Sequence, residues 1–191
     1  MNVARLLYPV QVLGPGKRIG IWLCGCDRRC KGCSNPELWV QKAEYEVSIS
    51  QVLGLIQKIT HNYDVDGFTI TGGEPMDQAA ELAELLEELR MISDDILIYS
   101  GYQLSELRNR NDQNTERVLS LAAILIDGEY IEEKNADTKL RGSSNQLIHI
   151  LNPSLKEKYD DYLKTTHNQI QNFTTADGVV SVGIHKRGFN A

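Results

Sequence analysis

Outside one short window the chain has no cysteine at all: Cys24, Cys26, Cys30 and Cys33 are its whole supply. That excludes a disulfide framework tying distant segments together. No run approaches the roughly 20 apolar residues that a membrane helix needs. The opening segment MNVARLLYPVQVLGPGKR lacks the apolar stretch and small-residue cleavage site of a secretory signal. The expectation is a cytoplasmic protein with no membrane partner. Positive charge is not in excess: 20 Lys and Arg stand against 26 Asp and Glu, for a net charge of −6. This argues against a broad nucleic-acid surface. Repeats, low-complexity tracts and Pro- or Gly-rich linkers are also missing. What remains is 191 residues, 41% of them hydrophobic, which suits one domain over residues 1–191 with a core of its own.

Patterning divides that domain into alternating elements. YPVQVLGPGKRIGIWL reads as a hairpin, with Gly14-Pro15-Gly16 in the turn and Ile19 to Leu23 as the second strand. Ser48 with Gln51 three residues on matches a capping box, and Val52, Leu55, Ile56 and Ile59 continue it at helical spacing to about Thr60. GFTIT, ILIYSG, AAILIDG and QLIHIL read as short buried strands. Helices are expected over Asp77 to Met91, Gln103 to Arg110, Thr115 to Leu121 and Pro153 to Leu163. NFTTADGVVSVGI reads as a closing hairpin that turns at Asp177-Gly178. Alternating strands and helices with continuously apolar strands predict an α/β fold. About six parallel strands are too few for a complete barrel of about 250 residues. An incomplete, open β/α barrel with an N-terminal hairpin is expected, and a doubly wound sheet is the competing architecture.

The unusual residues fall at one level of this scheme. The cysteines follow the first core strand and Gly72-Gly73-Glu74-Pro75 the second. Ser100-Gly101 follow the third, and Asp127-Gly128 the fourth. In parallel sheets ligands collect at the carboxyl ends of strands. Cys26, Cys30 and Cys33 have the spacing C-x3-C-x2-C. In a reducing compartment they read as metal ligands. Three thiolates on a compact loop suit three irons of a 4Fe-4S cluster and leave the fourth iron open. Zinc is the alternative, although four-cysteine zinc sites normally draw ligand pairs from two separate turns. Cys24, within a strand, reads as a small buried apolar residue. Arg28, Arg29 and Lys31 are either a solvated loop or a docking patch for an acidic electron donor.

GCDRRCKGCSNPELW, TITGGEPMDQ, IYSGYQLSEL, ILIDGEYIEE and LRGSSNQLIHI resemble, in that order, the radical S-adenosyl-L-methionine (SAM) superfamily. The nearer likeness is to the activating proteins of anaerobic ribonucleotide reductase and related glycyl-radical activating enzymes. It covers about residues 19–151 and leaves 152–191 as a C-terminal extension. The resemblance implies a 4Fe-4S cluster on Cys26, Cys30 and Cys33, with SAM chelating the open iron. Gly72, Gly73, Glu74 and Pro75 would meet the SAM ammonium. Ser100, Gly101 and Asp127 would line its ribose and adenine side, and Asn145, in the RGSSNQ segment, the mouth. It further implies reductive cleavage of SAM to a 5′-deoxyadenosyl radical, a glycyl-radical partner and a flavodoxin or ferredoxin as donor. No side-chain acid or base is required, so His61, His149, His167 and His185 need no catalytic role. Gly32 stands where many of these proteins carry an aromatic residue. Two further functions compete: a radical SAM enzyme acting on a peptide or small molecule, and a non-catalytic zinc or iron–sulfur module.

Overall fold

The structure, a computed structural model, describes residues 1–164, 168–176 and 178–185. His167 and Asp177 lie outside the described residues. Among the described residues, ten strands and five α-helices follow one another in an order close to that expected. β1 (Val3–Val10) and β2 (Arg18–Leu23) form the N-terminal hairpin. α1 (Ile49–Asn62) starts at Ser48, and its capping box with Gln51 is complete. β3 (Gly67–Gly72), α2 (Ala79–Arg90), β4 (Ile96–Tyr99), α3 (Leu104–Asn109), α4 (Gln113–Leu121) and β5 (Ile124–Asp127) follow. A small ribbon, β6 (Asn135–Thr138) with β7 (Arg141–Ser143), precedes β8 (Leu147–Ile150). α5 (Lys156–Lys164) and the hairpin β9 (Ile170–Thr175) and β10 (Gly178–Gly183) complete the described chain.

Six strands make one sheet in the order β1-β2-β3-β4-β5-β8. The expectation of six parallel strands is corrected here. β2 to β5 are parallel, whereas β1 and β8 are antiparallel edges. β8 follows β5 through a ribbon rather than a crossover helix, so it returns antiparallel. The four parallel strands run in consecutive order, without the reversal of a doubly wound sheet.

Alternation along the strands sends Ile19, Ile21, Phe68, Ile70, Ile96, Ile98 and Leu125 to one face, where α1 to α4 cover them. The other face carries Trp22, Leu97, Tyr99, Ile124 and Ile126, among others. It is covered by the 11–17 loop, by Tyr159 of α5 and by Val182 of β10. At the amino ends of the strands a buried network docks α5. Arg18, fully buried, bonds Thr69 Oγ1 at 2.8 Å and pairs with Asp95 at 3.0 Å. Asp95 accepts from Tyr159 Oη at 2.6 Å and Lys158 Nζ at 2.7 Å. Among the described residues no helix is long and apolar enough to cross a membrane.

Candidate functional site

The cysteine loop leaves β2 and is fastened at once. Gly25 N–H donates to Leu38 O at 2.8 Å and Cys26 N–H to Trp39 O at 2.9 Å. The turn after β3 docks on the same loop: Gly73 N–H donates to Leu23 O at 2.8 Å and Glu74 N–H to Gly25 O at 2.7 Å. Glycine is required for that approach. Gly72 has φ +110°, and a Cβ on Gly72 or Gly73 would collide with backbone atoms of Leu23 or Gly25. Cys24 stays out of the site. It is fully buried in the apolar cluster beneath the loop, and its thiol donates to Val40 O at 3.0 Å.

Glu74 joins the ends of β3 and β4. Its carboxylate is buried and accepts from Met76 N–H at 3.0 Å, Ser100 Oγ at 2.8 Å and Gly101 N–H at 2.7 Å. Burial outweighs these donors and pushes its pKa up to about 7. Pro75 begins a 3-10 turn where its missing N–H costs nothing.

These parts surround one cavity of about 180 Å³. Cys26, Cys30, Cys33, Gly72, Gly73, Glu74, Ser100 and Gly101 all line it. Three expected residues do not. Pro75 is buried behind the turn. Asp127 shares the helix-side face of β5 with Leu125; it accepts Leu104 N–H at 2.6 Å and lies 2.8 Å from His149 Nε2. Asn145 donates to Glu129 O at 2.8 Å and holds a turn. Their neighbours Gly128 and Gln146 reach the cavity instead. Gln146 gathers the RGSSNQ segment, accepting from Gly142 and Ser143 N–H and donating to Gly128 O.

The three cysteines line one cavity, and among the described residues no three His, Cys, Asp or Glu are grouped to hold a single metal ion. In a 4Fe-4S cube each thiolate binds its own iron, so three thiolates lining one cavity can serve three irons. Backbone N–H groups attend each sulfur: Arg28 and Arg29 at Cys26, Tyr130 at Cys30, and Asn35 at Cys33 over 3.4 Å. Such donors stabilise thiolates and tune iron–sulfur potentials. Without metal, burial raises the Cys26 thiol and pushes Cys30 up to about 11. The donor set and its surroundings therefore fit a 4Fe-4S cluster.

Two basic residues of the loop, Lys31 and Arg28, are engaged within the molecule. Lys31 lies 2.9 Å from Glu132 and 3.3 Å from Glu133. The Arg28 guanidinium stacks 4.0 Å from the Tyr102 ring centroid, with Arg110 3.9 Å from the same centroid.

The family described as the 4Fe-4S single cluster domain matches residues 12–149. This chain belongs to that family. The anaerobic ribonucleoside-triphosphate reductase-activating protein of Vibrio cholerae is 32% identical over 151 residues, covering 74% of this chain and 94% of the relative. Its counterpart from Enterobacteria phage T4 is 31% identical over 155 residues, covering 78% and 93%. That of Escherichia coli K12 is 28% identical over 151 residues, covering 75% and 96%. The resemblance to radical SAM activating proteins is borne out, and with it a 4Fe-4S cluster and SAM as cofactors.

Sequence reasoning missed several residues that line the cavity. Tyr99, an aromatic ending the aliphatic run ILIY, was a readable signal. Trp39 and Tyr130 lie inside segments already quoted, where no role was given to them. Ser181 to His185 also line the cavity, although they lie more than 30 residues beyond the family match. Their position follows from docking of the C-terminal hairpin, which no local motif announces.

Proposed function

We propose that this chain is a radical SAM activating enzyme that generates a glycyl radical on an anaerobic ribonucleotide reductase. Cys26, Cys30 and Cys33 hold the cluster, with no fourth thiol in reach of the loop because Cys24 is turned into the core. When bound, the reduced cluster supplies the electron that splits SAM into methionine and a 5′-deoxyadenosyl radical. Gly72, Gly73 and Glu74 present their backbone to the SAM ammonium. Glu74's carboxylate is committed to Met76, Ser100 and Gly101 and serves to fix that turn. Ser100, Gly101, Gly128 and Gln146 line the nucleoside side. Pro75, Asp127 and Asn145 act from behind, by holding these turns. Arg28, above Gly101 and against Tyr102, ties the cysteine loop to the end of β4.

The same reading takes the parallel strands as an incomplete, open barrel and the chain as one domain, 1–191, with a core of about 19–151. It places the protein in the cytoplasm, with a flavodoxin or ferredoxin as donor and no nucleic acid or membrane partner. The observation that carries it is the direct docking of the Gly-Gly-Glu turn on the cysteine loop, Glu74 N–H to Gly25 O at 2.7 Å. The test is anaerobic reconstitution with iron and sulfide, followed by dithionite and SAM. 5′-Deoxyadenosine is expected from the native chain and only background from Cys26→Ala, Cys30→Ala or Cys33→Ala. Full turnover in any one of these variants would reject the ligand set.

A further inference from the structure

Between Cys26 and Cys30, Arg28 is the side chain that folds back onto the protein, while its neighbours Asp27 and Arg29 are exposed. The Arg28 guanidinium lies 4.0 Å from the Tyr102 ring centroid, with Arg110 at 3.9 Å from the same centroid. Gly101 leaves room for it, since a Cβ there would collide with Arg28 Cδ and Nε. Glu106 at 3.6 Å and Glu129 at 3.9 Å are half-exposed partners and add little to this contact.

Tyr102 is itself fastened to the other three turns at the carboxyl ends of the strands. Its hydroxyl donates to Asp77 Oδ1 at 2.8 Å, its N–H donates to Ser100 Oγ at 3.1 Å, and its carbonyl accepts Gly128 N–H at 3.2 Å. Arg110 Nη1 adds a bond to Met76 O at 3.0 Å. The turns after β3, β4 and β5 thus meet at one ring, and Arg28 joins the cysteine loop to them.

The Cys26–Cys30 spacer needs such an anchor. Arg29 has φ +49°, in the left-handed region that residues with a Cβ seldom adopt. Strain of this kind persists only where the surroundings enforce it. The strained turn has a use: the backbone N–H groups of Arg28 and Arg29 both reach the Cys26 sulfur. Hydrogen bonds to cluster sulfurs help set the potential, and they favour the more negative, reduced state.

We infer that Arg28 is a positioning residue for the cluster: by stacking on Tyr102 it holds the spacer so that two N–H groups stay on the Cys26 sulfur, and this sets how easily the cluster is reduced. The role rests on the activating-enzyme reading and deepens it, because there the reduced cluster supplies the electron that splits SAM.

Arg28 is also the only Lys or Arg among the described lining residues, so charge and stacking must be separated. The full chain is reconstituted anaerobically with iron and sulfide. The midpoint potential of its cluster is then measured without SAM, by mediated titration followed by electron paramagnetic resonance. Arg28→Gln and Tyr102→Leu are each expected to make reduction about tenfold less favourable, a fall of about 59 mV for one electron. Arg28→Lys keeps the charge without the guanidinium plane, and reduction should remain at least about threefold less favourable than in the native chain. Lys31→Gln, which removes an exposed charge from the same loop, should change the equilibrium less than about twofold. A native potential in Tyr102→Leu, full recovery in Arg28→Lys, or a fall in Lys31→Gln equal to that in Arg28→Gln overturns the inference. If Tyr102→Leu is unfolded by circular dichroism, Arg28→Lys against Arg28→Gln carries the test. The titration uses no SAM, so its failure is separable from failure of the 5′-deoxyadenosine assay.

Discussion

At the amino ends of the parallel strands, Arg18, Thr69, Asp95 and Tyr159 are buried and bonded to one another or to backbone carbonyls. At the carboxyl ends, Arg28 Nε, Trp39 Nε1 and Tyr99 Oη are buried with no partner among the described residues, and all three side chains line one cavity. Both ends bury polar atoms under similar apolar layers. The difference is that the amino end answers every member of its network from within the chain. Buried polar atoms without a partner are rare in folded proteins, and these three belong to side chains around the cavity. Stability is thus concentrated at one end of the sheet and recognition at the other.

Substitutions break this contrast in a graded way. The largest loss of stability is expected from Asp95→Ala, which strands the buried Arg18 guanidinium. Removing one partner of such a pair costs about 3–5 kcal/mol, read by urea denaturation. Next comes a pH effect at the carboxyl end. Glu74's pKa is raised from 4.5 to about 7 in the fold, so the folded chain keeps a proton that the unfolded chain releases. Its contribution is complete below pH 4.5 and is lost as pH rises through about 7, a span worth about 3 kcal/mol at 1.36 kcal/mol per unit. Glu74→Gln should flatten the stability–pH curve of the metal-free protein across that window, and an unchanged slope would count against the burial argument.

The sharpest contrast is between two tyrosines whose phenols burial raises alike, Tyr159 and Tyr99. Tyr159→Phe deletes the bond to Asp95 and should cost about 1.5–3 kcal/mol, as for hydrogen bonds to charged groups. Tyr99→Phe deletes a hydroxyl that bonds nothing and should shift the unfolding free energy by less than about 0.5 kcal/mol. Equal costs for the two would erase the distinction between the ends.

Much of this was legible in the sequence. The strands could be read because two-sided burial makes them continuously apolar. The cysteine, Gly-Gly-Glu and Ser-Gly segments could be read because each follows a strand. Where side chains point was less legible. Asp127 follows the right strand, yet alternation puts it on the face of Leu125, toward the helices, and leaves Gly128 to the cavity. The direction of β8 depends on the ribbon before it, and that ribbon, in a segment of mixed polar residues, has no periodicity to find. The C-terminal wall of the cavity comes from a hairpin beyond α5, and α5 itself docks through Tyr159 on Asp95, a contact across 64 residues.

The most direct test of the central claim is Mössbauer spectroscopy of the chain reconstituted anaerobically with iron-57 and sulfide, recorded before and after addition of SAM. A 4Fe-4S cluster is expected in which one iron site changes its isomer shift when SAM binds while the other three do not. A preparation that holds only tetrahedral zinc, or a cluster whose four irons ignore SAM, would contradict it.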